Sequence, residues 1–429
     1  MSSVQSLLDS PHLLAESAAK VTETGNDRFG PLLARLRDEF GATPQSGLWL
    51  ASAPGRTELS GNHTDHNNGK VLAASVHLDS IAAAIARDDG VIRIASEGFP
   101  TAEVSLAELE PQPAEAESTS ALIRGVAAGF HRDGYRIGGF DATVSSTVLP
   151  GSGLSSSASF EVLIGVILDA MYNNDEVGTT RVAQIGQFAE NRYFGKPSGL
   201  MDQVACATGG AVAIDFADPD EPKIERIDVS FEDAGLALLV VDTGANHADL
   251  TDEYAAIPAD MRSIAATLGG GVLRDVRPED FYAAVPVLRK TTGDRAVARA
   301  MHFYDENVRV ERMVAALQRS AMEEYIALMA DSGRSSGLYL QNCVPVSNPG
   351  EQGVVIALAL TEHYFQSNGI RIGVDGSCRV HGGGFAGTIQ VLLPTDHVEQ
   401  FESYIAGHLG SNAVTRLSIR NSGAIAVEA

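Results

Sequence analysis

The chain has 429 residues, 44% of them apolar, which exceeds what one hydrophobic core usually serves and predicts two fused domains. Lys and Arg total 31 against 55 Asp and Glu, and the resulting formal charge of −24 repels phosphodiester backbones and anionic lipid, which argues against nucleic acid and membrane partners. A nucleotide is still admissible if a divalent cation, backbone N–H groups and a few basic side chains neutralise its phosphates locally.

Residues 1 to about 45 read as polar, amphipathic helices to which no chemistry is assigned. They lack the basic and then apolar layout of a secretory signal, and no apolar run approaches the roughly 20 residues that span a bilayer, so the expected location is cytoplasmic. From Leu48 onward come β-rich runs at 47–53, 71–77, 81–87 and 91–96, separated by Gly, Asp and Asn, the pattern of a mixed sheet. The acidic patch 108–117, with Pro111 and Pro113, reads as a surface loop. A strand near 141–148 ends in Leu149-Pro150-Gly151-Ser152-Gly153, and the apolar stretch from Ser155 to about Tyr172 has helical length and spacing, which puts the glycines at a helix start. A second helix near 182–193 leads through Gly195-Lys196-Pro197-Ser198-Gly199 into Leu200-Met201-Asp202-Gln203, followed by strands at 211–216 and 237–241. The later half predicts helices at 254–268, 308–330 and 354–365, strands at 378–381 and 388–393, a helix at 397–409 and a last strand near 413–419. Cys206, Cys343 and Cys378 are odd in number and scattered, which suits buried thiols in a reducing compartment.

The run Gly151-Ser152-Gly153-Leu154-Ser155-Ser156-Ser157 has a physical reason to hold phosphate. Glycines let the backbone approach an anion, and the following helix offers unpaired N–H groups and the positive end of its dipole. Serine hydroxyls add hydrogen bonds and a hard oxygen ligand for magnesium. A serine-capped helix is the plainer reading, but one serine suffices for a cap. No Lys follows the glycines in the Walker A frame.

This stretch resembles the second motif of the GHMP kinase superfamily, and three further segments, in the expected order, resemble galactokinases. They are Ala53-Pro54-Gly55-Arg56-Thr57-Glu58-Leu59-Ser60-Gly61-Asn62-His63-Thr64-Asp65-His66-Asn67, similar to the sugar signature; Gly199-Leu200-Met201-Asp202-Gln203, similar to the catalytic aspartate segment; and Gly382-Gly383-Gly384-Phe385-Ala386-Gly387, similar to the third GHMP motif. The resemblance implies an α/β (α+β) protein of the GHMP kinase fold, with an N-terminal domain (1–225) like ribosomal protein S5 domain 2 and a C-terminal ferredoxin-like domain (226–429). It also implies ATP and Mg2+ as cofactors, galactose or a close analogue as the small-molecule partner, and a monomer or weak homo-oligomer. Asp202 becomes the base for the anomeric hydroxyl and Arg56 its partner. Asn62, His63, Thr64, Asp65, Gly199 and Tyr254 become sugar contacts. Ser157 and Glu190 become the magnesium ligands, Glu190 lying twelve positions before Asp202 as in the family. Ser96, on the strand after the sugar loop, is assigned to the nucleotide with Gly151 to Ser157.

Other patterns fail. Gly382–Gly387 fits the dinucleotide fingerprint, but 388–393 reads as a strand where that turn must open a helix. His131-Arg132-Asp133 imitates a protein-kinase catalytic loop, yet the order relative to the glycine hairpin is reversed, position 138 is Gly and no Asp-Phe-Gly exists. No G-x-S-x-G elbow frames the serines. His63, Asp65 and His66 could ligate a metal if helical, whereas Gly61, Asn62, Asn67, Asn68 and Gly69 predict a loop.

The signature departs from the usual galactokinase pattern where Glu58 and Ser60 replace Asn and Ile, Asn62 replaces Glu and His66 replaces Tyr. An amide in place of an acceptor-only carboxylate changes which sugar hydroxyls are satisfied. N-acetylgalactosamine or another hexose is therefore the alternative substrate, and a galactose and ATP sensor without turnover the alternative of a different class. The tryptophan common in the adenine pocket has no counterpart near 118–124.

Overall fold

In the computed structural model the described residues are 7, 10–23, 26–41, 47–148, 151, 153–244 and 250–429; Leu149, Pro150, Ser152 and Asp249 lie outside them. Two sheets organise the chain. Strands β1 (Leu48–Ser60), β2 (Lys70–Arg87), β3 (Val91–Ser96), β4 (Ala102–Ser105), β5 (Gly139–Ser146), β6 (Ala211–Asp215) and β7 (Lys223–Ile227) build the first. Strands β8 (Leu236–Asp242), β9 (Ser377–Val380), β10 (Thr388–Pro394) and β11 (Val414–Leu417) build the second, and β12 (Ile425–Glu428) returns to the first. The first sheet runs β12-β1-β2-β5-β3-β4, with β6 on the early part of β2 and β7 beyond it; the second runs β11-β8-β10-β9. All pairings are antiparallel except β3 with β5.

Alternation along the strands explains the layers. Leu48 and Leu50 of β1, with Ile81, Ala83 and Ile85 of β2, bury against Phe29, Leu32, Leu33 and Leu36 of the helix Phe29–Phe40. Ala51, Ala53, Ala82 and Ala84 point the other way, into a core shared with the helices Thr119–Arg132, Ser156–Asn173 and Thr179–Ala189. The helix Ser156–Asn173 buries Val162, Leu163, Ile164, Ile167 and Leu168 on several sides, as an internal helix must. In the second sheet Leu238 and Val240 pack with Leu72 and Ala74 of the first, while Leu239 and Val241 pack under the outer helices Gly353–Ser367 and Val398–Leu409. Among the described residues no helix is long and apolar enough to cross a membrane.

Several expectations need correction. The predicted helix 308–330 is two helices, Asp294–Gln318 and Met322–Ser335; Ser320 takes φ 56°, and the amides of Ser320 and Ala321 turn back to the carbonyls of Leu317 and Ala316. The predicted strands 71–77 and 81–87 are the single strand β2, because Asp79 is a buried hub, not a turn: Thr22 and Ser52 donate to it at 2.8 and 2.7 Å, and Arg28 and Arg420 pair with it. The helices Thr119–Arg132 and Pro278–Thr291 and strands β4, β7 and β12 were not predicted. The division expected after residue 225 falls inside β7, and the return of β12 makes the chain cross between the sheets twice. The acidic loop docks through Glu115 on the buried guanidinium of Arg124, at 2.7 and 2.8 Å.

Candidate active site

The register of β1 against β2 shifts between Pro54 and Arg56 and again between Glu58 and Ser60. Such irregularities re-aim side chains. At the first, the backbone N–H of Arg56 donates to the Leu154 carbonyl at 3.0 Å and its guanidinium donates to the Gly153 carbonyl, so β1 holds the glycine loop directly. The rest of the guanidinium forms a bidentate pair with Asp202, Nε to Oδ1 at 2.6 Å and Nη2 to Oδ2 at 2.7 Å. Asp202 lies in the first turn of the helix Met201–Thr208, where the dipole favours negative charge, and the Ser155 hydroxyl donates to its Oδ2. Burial opposes ionisation of this carboxyl, but the Arg56 charge and the hydrogen bonds from Arg56 and Ser155 outweigh it and hold the group down at about 2.

The glycine–serine loop is fixed by contact with the second sheet. Gly153 takes φ 71°, and a Cβ there would lie 2.2 Å from Thr388 Oγ1 and 3.0 Å from His381 Nδ1. Ser155, at φ 59°, is a non-glycine residue in the left-handed region, strain of a kind that collects at functional sites. Gly151 is exposed, Leu154 is buried, and Ser156 and Ser157 open the helix. The Ser157 hydroxyl donates to Glu190 Oε1 at 2.8 Å; Glu190 is buried where the helix Thr179–Ala189 widens into a π-helical turn, Glu190–Phe194. Lys196 Nζ reaches the same oxygen at 2.9 Å, and Gln203 Nε2 donates to Glu190 Oε2 at 2.9 Å. Ser96 pairs in register with Val144 of β5, the strand that runs on to the glycine loop. Ser152 lies outside the described residues.

The loop after β1 divides its side chains between two faces. Asn62 and Thr64, predicted sugar contacts, turn inward. Asn62 Nδ2 donates to the Glu58 carboxylate at 3.0 Å and the Gly382 carbonyl at 2.6 Å, and its Oδ1 accepts from Asn342 at 2.7 Å. The Thr64 hydroxyl is engaged with the carbonyls of Gly61 and Lys70, at 2.9 and 2.6 Å. His63 takes φ 59°, and its Nε2 lies 3.0 Å from the Gly383 carbonyl. Its Nδ1 is buried with no partner among the described residues. Its ring stacks on His66 with centroids 5.6 Å apart. Burial, helped by the His66 charge at His63 and by Arg262 at His66, pulls both imidazoles down to about 4, so both are neutral at neutral pH.

Asp65 packs against Gly199, where a Cβ would fall 1.7 Å from its Oδ2, so any other residue would displace the carboxyl. Burial, then the charge of Asp202, push Asp65 up to about 6, against the pull of His63 and the N–H groups of Met201 and His66. Tyr254, on the helix Thr251–Thr267, lies on the glycine hairpin: its hydroxyl donates to the Gly384 carbonyl at 3.1 Å and its ring meets Phe385 edge to face.

The structure thus brings together Arg56, Asp202, Ser155 and Gly153, with Asp65 and Gly199 on one side and Ser157 and Glu190 on the other. Sequence reasoning missed the supports. Arg379 pairs with Glu58, both fully buried, and donates to the Glu58 carbonyl at 3.0 Å. His381 Nε2 accepts from the Glu58 N–H at 3.2 Å, and its Nδ1 contacts Thr388 Oγ1 at 3.0 Å. Glu58 already stood out as a departure in the signature, and Gln203 closes the aspartate segment, although no role was given to it; nothing local marked Arg379, Lys196 or Glu161.

A glycine loop at a helix start, opening onto an arginine-held aspartate between two such sheets, places the chain in the class of GHMP kinases. The GHMP kinases N terminal domain is matched over residues 121–210, and the galactokinase galactose-binding signature over 34–86. The galactokinase of Streptomyces coelicolor is 34% identical over 373 residues, covering 86% of this chain and 90% of that protein. The galactokinase of Homo sapiens is 32% identical over 405 residues, covering 91% and 94%. The chain belongs to the galactokinase family and is an ATP-using kinase. Its fold is that of the Lactococcus lactis galactokinase complexed with galactose, with a TM-score of 0.77 at 24% identity over 92% of this chain and 98% of that one. The Methanococcus jannaschii mevalonate kinase shares it at a TM-score of 0.57 and 13% identity, over 87% and 98%.

Proposed function

We propose that this chain transfers the γ-phosphoryl group of ATP to the anomeric hydroxyl of D-galactose, giving galactose 1-phosphate and ADP. One observation carries the reading: the Asp202 carboxylate, clamped by Arg56 and bonded to Ser155 of the phosphate-side loop, neighbours Asp65 of the sugar loop closely enough to raise its pKa. His63, whose buried Nδ1 has no partner among the described residues, and Asp65 hold sugar hydroxyls, with the Gly199 backbone and Tyr254 beside them. Asn62 and Thr64 support that loop from behind. The triphosphate follows Gly151, Gly153, Leu154, Ser155, Ser156 and Ser157 to the helix start, past Ser96. The hydroxyl oxygen attacks the γ-phosphorus, the bond to the bridging oxygen of ADP breaks in line, and the proton passes to Asp202 or to solvent. Held at about 2, Asp202 is a weak base, so placement and the Arg56 charge beside the moving group supply most of the rate.

Ser157 and Glu190 fit a magnesium ion: they are hard oxygen donors 2.8 Å apart, and the Glu190 oxygen already attracts the Lys196 ammonium. An ion held by Ser157 and Glu190 would offset the negative charge of the phosphates. A cytoplasmic location and a monomer or weak homo-oligomer complete the proposal, the location supported by three buried free cysteines.

The test is ADP release with ATP and magnesium across galactose, N-acetylgalactosamine, glucose and mannose. Galactose should give the highest rate; release that rises with none of the sugars would end the kinase reading. A second reading, N-acetylgalactosamine or another hexose, is favoured by Asn62, whose amide is spent on Glu58, Gly382 and Asn342 and offers the sugar no carboxylate. A faster rate with another sugar than with galactose would select it.

Asp65 sets the acid limb. Its folded pKa is raised to about 6, so it is ionised above that pH and protonated below, while Asp202 stays ionised throughout. The specificity constant for the sugar should fall about tenfold per pH unit below pH 6. Asp65→Asn should lower it at pH 8 and flatten the limb; an unchanged limb in that variant would assign it elsewhere.

A further inference from the structure

Beneath Ser157 and Glu190 lies a second buried carboxyl. Glu161 follows Ser157 by four residues on the same helix and is fully buried. Its Oε2 accepts from Gln203 Nε2 at 2.9 Å, and that same amide nitrogen donates to Glu190 Oε2 at 2.9 Å. Two acceptors in this line, Glu161 Oε1 and Gln203 Oε1, are buried with no donor among the described residues. Gly186 leaves room for the contact: a Cβ there would press on the Gln203 and Glu161 side chains at 3.2 and 3.3 Å.

No salt bridge reaches Glu161 among the described residues; the charged groups acting on it are Glu190 and Asp202, which disfavour a second anion, and Lys196, whose ammonium is bonded to Glu190. Burying an anion on one neutral amide is costly, whereas a proton on Glu161 supplies the donor that the two orphan acceptors lack. Burial, then the Glu190 charge, push the carboxyl well above its ordinary range, in the same direction.

We propose that Glu161 is a neutral carboxylic acid and a positioning residue, which orients Gln203 so that its amide fixes the Glu190 carboxylate against Ser157. Because Gln203 follows Asp202 on its helix, the line also joins the cation side of the cleft to the aspartate side. The role rests on the reading of Ser157 and Glu190 as the cation residues; the protonation state does not. Outer partners of metal ligands commonly carry about 10–100-fold of metal affinity.

Glu161→Gln keeps the shape and the neutral charge and can still donate to Gln203. It should retain the wild-type rate and magnesium dependence within about threefold, while Glu161→Ala should raise the magnesium concentration for half-maximal rate about tenfold or more. The infrared difference spectrum of wild type minus Glu161→Gln, taken without ligands, should contain the C=O stretch of a protonated carboxyl. A carboxylate band instead, or a Glu161→Gln variant as impaired as Glu161→Ala, overturns the proposal. A purely structural role, which also overturns it, would lower the melting temperature of Glu161→Ala and leave its magnesium dependence like that of Glu161→Gln. If Glu161→Ala does not fold, the infrared band and the rate of Glu161→Gln decide. A wild type inactive on every sugar would defeat the proposed function and leave the infrared result standing.

Discussion

Asp202→Asn should cut sugar-dependent ADP release by about 10²–10⁴-fold and leave the fold intact. The replacement is nearly isosteric, so the amide oxygen can still accept from Arg56 and Ser155, but the negative charge is gone. With the carboxyl held at about 2, the proposed mechanism uses it as a fixed anion that orients the attacking hydroxyl and takes its proton late. Its pKa is depressed in the folded state, so its contribution to stability is present above the ordinary carboxylate range and is lost as pH falls toward 2. At neutral pH the variant should lose on the order of 2 kcal/mol, well inside the 5–15 kcal/mol of a typical domain. A melting curve should therefore show one cooperative transition, slightly lowered, and a coupled ADP assay should show the collapse in rate. Turnover within a few-fold of wild type would remove Asp202 from the chemistry.

What the sequence made legible is the part written in local rules. The helix predicted from Ser155 begins at Ser156, because apolar spacing and a glycine–serine start are properties of contiguous residues. The direction of each side chain in Asn62-His63-Thr64-Asp65 was not legible. It depends on partners distant in sequence, such as Gly382 and Asn342, which take up the Asn62 amide, the latter 280 positions away. The supports escaped for the same reason. Glu58 and Arg379 are 321 residues apart, and Gln203 becomes informative only once Glu161 and Glu190 are seen on either side of it. A buried charge with a distant partner leaves no periodic trace; β2 was split at Asp79 because a charge within a strand reads as a turn until Arg420 is found beside it.

Arg379→Met should be strongly destabilising. Arg379 belongs to β9 of the second sheet and Glu58 to β1 of the first, so their ion pair, with the bond from Arg379 to the Glu58 carbonyl, ties the sheets together two residues from Arg56. Removing one member of a buried pair costs about 3–5 kcal/mol, because the other is left as an uncompensated charge. Burial already pushes the Glu58 carboxyl upward, with Arg379 the largest opposing influence. Without the guanidinium the rise is larger, and a carboxyl whose folded pKa is raised loses stability as pH increases. The variant should therefore melt at a higher temperature at pH 5 than at pH 8, a dependence that the added change Glu58→Gln should abolish while recovering part of the loss. Activity should fall as well, because the backbone on either side of Glu58 also bonds His381 and Gln390 and sets where Arg56 meets Asp202. If Arg379→Met melts within a degree or two of wild type at both pH values, the pair contributes nothing to holding the sheets, and the position of Arg56 must be set by its own bonds to Leu154 and Gly153.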